Sequence, residues 1–447
     1  DGFDEHRGYG PRGTRCFKSA FDTFFYQAFP NGDYSLLHDQ ILGNIRGTYA
    51  WHSLFNKAFE AYGDPKYAWL LNRMRAAYPE NADNPQPVWF RNGRGDIEFT
   101  RLTCLDYPPG RFSFAEDVKL SQSGRHVNGC SLFPVHGTAI LRALPGNEDG
   151  PAAHLYFGPH WAGHRGPGAL HLDLHAGGRR LTAAPHVFDK GYDDPRHLTW
   201  NRTTIAHNTV TVDQASMFPY DFATNSLWEC DLWRDRISDG RLELFQPDGK
   251  GFKVIRASND NVYENVRLDR TVVLTSDYAI DLYRVTSPGF HQYDWAMHCL
   301  AQLQTTPDST QPVEFGQGRG YCHLRNGRHW QLKPGWCSLR MAAGTQSLAL
   351  HLLVAKNVQL VTADEPEVDG RTPIADLDRP PQRQVIMLRT KTAQTMFAAV
   401  WTFGEATWVP GSIKGKPDTD ITLNIQNGKD RMVKWKLPVA GPVRASL

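Results

Sequence analysis

The feature that most constrains the fold is a change in hydrophobic periodicity near residue 88. Before it, apolar residues recur at helical spacing, and after it apolar and polar residues alternate. A period of 3.6 is typical of amphipathic helices, and a period of 2 is typical of half-buried strands. Helices first and strands second favour an α+β fold over alternating βαβ units.

Helices are predicted in the first part of the chain. The segment from Thr14 to Phe29 places its phenylalanines on one face, and a second helix begins after Thr48 and ends at Gly63. Asp64 and Pro65 then supply the cap and first turn of a third helix, to about residue 75. Because three helices make a poor core by themselves, we expect further helices upstream of residue 1.

The rest of the chain has the pattern of antiparallel strands. Alternation is clearest at 170–176 (LHLDLHA), 209–213 (TVTVD), 279–285 (AIDLYRV) and 348–355 (LALHLLVA). Turn sequences such as NGR and PDGKG separate such runs. We therefore predict a helical domain at 1–88 and a large antiparallel β-sandwich at 89–447, with a small terminal β subdomain from about 370.

Charge and composition exclude some classes of partner. The formal net charge is +2, and no dense Lys/Arg block indicates a nucleic-acid surface. No apolar run approaches the roughly 18 residues that span a bilayer. Aromatic residues make up 12% of the chain, with 13 Trp, which fits either a carbohydrate partner or a β-rich core. The sequence does not indicate an oligomeric state.

Three segments carry a family resemblance. They are DGFDEHRGYG at 1–10, YFGPHWAGHRGPGALHLDLHAGGRRL at 156–181 and WNRTTIAHNTVTVD at 200–213. In this order they resemble the DG…E…GY, FG…GH and TxxHNT segments of the heparinase II/III-like polysaccharide lyases, a group with exolytic alginate lyases and related dermatan sulfate epimerases. The segment 268–298 also resembles the family's RxV…DY…D…HDW…H strands. The resemblance implies a partial (α/α) toroid packed on an antiparallel β-sandwich, with the active cleft between them.

The chemistry that this resemblance implies is β-elimination at a uronic acid of a polysaccharide or oligosaccharide. It needs a neutralised C5 carboxylate, a base for the C5 proton and an acid for the leaving O4. Two alternatives stay open: a C5-epimerase that returns the proton to the opposite face, and a non-catalytic carbohydrate-binding relative. Family members that act on external glycans are generally exported, so a periplasmic or secreted location is also implied.

Candidate site residues follow from the matched motifs. Tyr9 of GYG matches the catalytic tyrosine that protonates the leaving oxygen, and His164 of GHRG matches a histidine that acts as base or carboxylate partner. His207 of HNT matches a catalytic-site histidine that holds a metal in several members. Each also fits a purely structural role in a packed or solvated position. Further candidate substrate contacts are Glu5, Arg7, Trp161, Tyr192 and Asn208.

The metal site implied by the resemblance has lost ligands in this sequence. Gly166 stands where the second loop histidine would fall, and Gly168 stands in place of its acidic partner. Ala184 begins the segment that usually reads D-P-G, which leaves His207 alone. Structural zinc takes four ligands, so we expect no tightly bound metal. The resemblance leaves a divalent metal, zinc or calcium, as the one cofactor that it implies.

The HNT segment raises a question of orientation. If His207 and Asn208 adjoin on a strand, their side chains point to opposite faces. His207 would share its face with Thr209 and Thr211, which is polar enough to line a sugar groove. Asn208 would point the other way and tie the neighbouring loop.

Overall fold

The computed structural model of the chain describes residues 17–35, 49–77, 89–92, 95–98, 108–114, 117–120, 124–158, 166–182, 194–218, 239–344, 346–366, 383–428 and 431–446. Across these ranges the protein is mostly β-sheet with few helices. None of the described helices is long and apolar enough to cross a membrane.

The helices lie close to their predicted positions. They are α1 (Phe17–Tyr26), α2 (Tyr49–Tyr62) and α3 (Pro65–Ala77). Gly63 follows α2 with φ 59°, the left-handed conformation that ends many helices, and the Lys66 amide donates to Asp64 Oδ1 at 3.1 Å. Phe25, Phe55 and Tyr67 form an aromatic core between the helices and the sheet described next. Whether these helices belong to a toroid stays a prediction.

A seven-stranded antiparallel meander lies beside the helices. Its strands pair in sequence order. They are β3 (Val118–Lys119), β4 (Arg125–Val127), β5 (Cys130–Phe133), β6 (Thr138–Arg142), β7 (Ala152–Tyr156), β8 (His171–Ala176) and β9 (Arg179–Arg180). A separate hairpin precedes it, made of β1 (Trp89–Asn92) and β2 (Gly95–Glu98).

A twelve-stranded sheet packs on the other face of the meander, and Leu172, Trp295 and Trp401 belong to the shared apolar core. Its two long strands pair with each other through a bulge between Thr286 and His291. The strands are β10 (Val210–Val212), β11 (Arg241–Gln246), β12 (Lys253–Asn259), β13 (Arg267–Leu274), β14 (Tyr278–Cys299), β15 (Gln302–Leu303), β16 (Thr310–Pro312), β17 (Arg325–Trp330), β18 (Gly335–Ala343), β19 (Gln346–Val354), β20 (Gln359–Asp364) and β21 (Gln384–Phe403).

A four-stranded sheet covers the far side of the twelve-stranded sheet. Ile280 and Val400 of the large sheet pack with Trp408 and Trp435 of the small one. Its strands are β22 (Trp408–Lys414), β23 (Ile421–Asn427), β24 (Arg431–Leu437) and β25 (Arg444–Ser446). The predicted domain boundaries at 88 and about 370 stay predictions.

The meander is covered on both faces, which decides the environment of its polar side chains. In β8, Leu172 and Leu174 join the large core, whereas His171, Asp173 and His175 point to the helical side, and all five are buried. His175 stacks on Phe29 with ring centroids 5.3 Å apart. The alternation predicted at 170–176 is therefore present, but its polar side faces protein.

Candidate functional site

The candidate site is built where the loop before β8 meets the segment before β10. Of the predicted site residues, the structure describes His207 and Asn208, together with the glycines at 166 and 168. The remaining predicted positions lie outside the described residues, and their roles stay predictions: Glu5, Arg7, Tyr9, Trp161, His164, Ala184 and Tyr192.

His207 follows a short 3₁₀ helix, Thr204–Ala206, and has an extended backbone. Its Nδ1 lies 2.9 Å from the Thr203 carbonyl oxygen. Because a carbonyl only accepts hydrogen bonds, Nδ1 carries the proton, and in the neutral ring Nε2 keeps its lone pair. The side chain is 2% exposed, so the imidazole is a buried group.

Gly166 and Gly168 lie directly against the His207 ring. A Cβ atom added at Gly166 would lie 2.7 Å from His207 Nε2, and one added at Gly168 would lie 2.7 Å from Cδ2. Real Cβ atoms essentially never show contacts this short, so a larger residue at either position would require the His207 ring or the loop to shift. Two motifs far apart in the sequence thus converge on one imidazole.

Asn208 is tied into a buried network with His171 and Asp173. Its backbone amide donates to His171 Nδ1 at 3.0 Å, and its side-chain Nδ2 donates to Asp173 Oδ1 at 3.1 Å. His171 Nε2 lies 3.0 Å from the same carboxylate oxygen. Ser35 donates to the other oxygen, Oδ2. Burial alone would raise the pKa of Asp173, but His171 and Ser35 offset it and lower the pKa to about 2.

The backbone carbonyls beside this network are held by Arg270 of β13. Its Nη1 donates to the carbonyls of Leu170 at 2.7 Å and Asn208 at 2.5 Å. Its Nε and Nη2 form a two-point ion pair with Asp281, at 2.8 and 2.6 Å. One buried guanidinium therefore joins the loop before β8 to the segment before β10.

His298 of β14 extends the network on the opposite side. Its amide donates to Asn208 Oδ1 at 2.6 Å, and its Nε2 lies 2.8 Å from the Ile205 carbonyl oxygen. Its Nδ1 is 3.0 Å from Glu365 Oε1. Burial would raise the pKa of Glu365, yet Arg383 and His298 hold it below its ordinary value. The HNT segment is thus held by hydrogen-bond donors from two strands of the large sheet, Arg270 of β13 and His298 of β14.

The prediction that Thr209 and Thr211 line a sugar groove is wrong. Thr209 donates to the Ala169 carbonyl at 2.6 Å, and the Thr211 hydroxyl lies 2.6 Å from the Tyr321 hydroxyl. Both threonines are buried under neighbouring layers of protein, and those layers also supply the hydrogen-bond partners of their hydroxyls. Asn208 is 0% exposed, so the predicted substrate contact there has no accessible atom. Its backbone amide and side chain instead tie the segment before β10 to strand β8, through the bonds to His171 and Asp173.

The described residues do not fit the metal that the resemblance implies. Gly166 and Gly168 offer no side-chain donor, and their backbone lies against the His207 ring. Zinc takes four nitrogen, sulfur or oxygen ligands, and calcium takes six to eight oxygens. In the part of the chain that the structure describes, no group of three His, Cys, Asp or Glu residues could hold a metal ion.

Sequence reasoning missed the residues that support the site. The resemblance of the segment 268–298 to the family assigns it no roles, yet it supplies Arg270, Asp281 and His298. Alternation predicts only that His171 and Asp173 lie on the polar side of a strand. Polar residues of opposite charge type at alternate strand positions, HLD here, are the signal that could have indicated a buried pair.

A comparison with protein-family models now identifies the family. The model described as heparinase II/III-like, C-terminal, matches residues 128–372, which is more than half of the chain. The chain belongs to the heparinase II/III-like family. The matched range contains the described loop at 166–170, the HNT segment and the Arg270 network. No curated protein sequence matches this chain.

Solved structures of the heparinase type share the fold. A crystal structure of heparinase III matches with a TM-score of 0.57 and 11% identity. The match covers 95% of this chain and 54% of the heparinase III chain. The heparan sulfate lyase HepC from Pedobacter heparinus has a TM-score of 0.56 and 13% identity, covering 94% of this chain and 52% of its own. The chain therefore spans about half the length of these structures.

Proposed function

We propose that this protein is a polysaccharide lyase that cleaves a uronic-acid-containing polysaccharide by β-elimination, leaving a 4,5-unsaturated product. The observation that carries the proposal is the convergence of the GHRGPG and HNT motifs. Gly166 and Gly168 of the first lie against His207 of the second. This contact between parts of two separately matched motifs supports a shared site.

The proposed reaction assigns three roles. His164 removes the C5 proton, the electron pair of that bond forms the C4=C5 double bond, and the C4–O4 bond breaks. Tyr9 gives a proton to the leaving O4. Neutralisation of the C5 carboxylate belongs, in this proposal, to residues outside the described ranges. Glu5, Arg7, Trp161 and Tyr192 are separate candidate contacts to the rest of the substrate.

The same proposal extends to architecture and location. Helices α1 to α3 form the C-terminal part of an (α/α) toroid, which covers the sheets and closes the cleft. Domain boundaries lie at about 88 and 370. A polymeric substrate outside the cell fits a periplasmic or secreted protein.

The test is an ultraviolet assay for the conjugated C4=C5 double bond, with heparan sulfate, chondroitin, alginate and ulvan-like chains as substrates. Heparan sulfate comes first because HepC, which has a similar fold, is a heparan sulfate lyase. We expect absorbance to rise with one class and Tyr9→Phe to abolish the rise. Tyr278→Phe is the matched control, since that hydroxyl meets Trp435 near the C-terminal sheet.

The other outcomes identify the alternatives. No absorbance with any substrate, but deuterium uptake at C5 from heavy water, would indicate a uronate C5-epimerase. Glycan binding without either signal would indicate a non-catalytic carbohydrate-binding protein. Either result would refute the lyase proposal.

A further inference from the structure

The loop at 166–170 is ordered by a continuous set of backbone hydrogen bonds. The carbonyls of Gly166 and Gly168 accept the amides of Gly168 at 2.9 Å and His171 at 3.0 Å. The carbonyls at 167, 169 and 170 accept from side chains: Thr204 at 3.0 Å, Thr209 at 2.6 Å and Arg270 at 2.7 Å. Every carbonyl of the loop therefore has a protein donor, as buried backbone requires.

One residue of this loop adopts a conformation that needs such support. Leu170 has φ 58°, in the left-handed region that is uncommon for residues other than glycine. Its carbonyl is the one that Arg270 holds. Strained conformations persist only where the surroundings enforce them, so the turn into β8 depends on contacts from the large sheet.

The His207 ring is the surface on which this loop rests. Nδ1 is anchored to Thr203, and the ring meets His171 edge to face, with centroids 5.9 Å apart. Gly166 and Gly168 cover its Nε2 and Cδ2 edge. The segment that carries the ring is fixed in turn by the hydrogen bonds that Asn208 donates to His171 and Asp173.

We infer that His207 is a positioning residue, which holds the loop at 166–170, two residues after His164 in the sequence, by packing and without a metal ion. His171 and Asp173 hold the adjacent residue, Asn208, by hydrogen bonds. The two glycines let the loop backbone approach the ring. The assignment of His164 as the base rests on the function proposed above. The packing itself does not depend on it.

The first test concerns metal. The protein is purified, its metal content is measured, and its melting temperature is recorded with EDTA, with no addition and with zinc or calcium. We expect no stoichiometric metal and the same melting temperature in all four samples. A bound metal whose removal lowers the melting temperature would overturn the inference.

The second test is a double-mutant cycle between Gly168 and His207. Gly168→Ala places a Cβ 2.7 Å from His207 Cδ2, so we expect the melting temperature to fall by several degrees. In the His207→Ala background the same change should have little effect, because only ordinary contacts remain. Gly146→Ala is the matched control, since a Cβ there meets nothing within 4 Å. Equal effects of Gly168→Ala in both backgrounds would overturn the packing contact.

The third test separates positioning from proton transfer, with the substrate found in the lyase assay. We expect His207→Gln to lower kcat at least tenfold while the acidic limb of the pH profile of kcat/KM keeps its midpoint. Loss of that limb would show that His207 itself takes the proton. If the unchanged protein shows no elimination, the proposed function fails, and the first two tests still decide how the loop is held.

Discussion

Replacing Arg270 should destabilise the protein more than most single changes. The side chain is 0% exposed, and it pairs with Asp281, which is 1% exposed. Arg270→Met would leave the Asp281 carboxylate without its partner, and breaking a buried pair in this way costs about 3–5 kcal/mol. The Leu170 carbonyl would lose its donor as well, which adds about 1–3 kcal/mol for an unsatisfied group, whereas the Asn208 carbonyl keeps the Leu172 amide as a donor at 3.3 Å.

The double variant Arg270→Met/Asp281→Leu separates these two contributions. It removes both charges, so most of the cost from the unpaired carboxylate should disappear. The cost of the unsatisfied Leu170 carbonyl should remain, at about 1–3 kcal/mol. The double variant is therefore expected to be more stable than Arg270→Met alone.

The free energy of unfolding in urea measures both variants. Arg241→Met is the control, because Arg241 pairs with Asp260 at 2.9 Å but is 56% exposed. An exposed pair contributes little, so the control should change the free energy by less than about 1 kcal/mol. A cost for Arg270→Met no greater than the control, or a double variant no more stable than the single, would refute this account of the network.

Two further predictions concern stability. Burial lowers the pKa of His126 to about 3, of His154 to about 4 and of His175 to about 3, from an ordinary value of 6.5. The unfolded chain therefore takes up protons first as the pH falls below about 6.5, and near pH 5 each histidine should cost about 2 kcal/mol of stability. Equal urea midpoints at neutral pH and near pH 5 would contradict this. Tyr321→Phe removes the hydroxyl that donates to Asp294 at 2.6 Å, which should cost about 1.5–3 kcal/mol, and an unchanged urea midpoint would exclude that contribution.

Elements that depend on local chemistry can be predicted from the sequence alone. One predicted helix ends at Gly63 and the next begins at Pro65, and the structure agrees. Both signals, the left-handed glycine and the cap, act within a few residues. Strands at 170–176 and 279–285 follow from alternation, which is also local. The family resemblance came from ordered motifs, and the family model supports it.

The burial of polar residues, and the contacts between residues distant in the sequence, depend on how the layers pack. Alternation places His171 and Asp173 on one side of β8, but it does not say that helices cover that side. The same limit explains the error at Thr209 and Thr211, whose hydroxyls find partners in other layers. The contact between Gly168 and His207 joins two loops, so it depends on how β8 and β10 are brought together by sheets that no local pattern specifies.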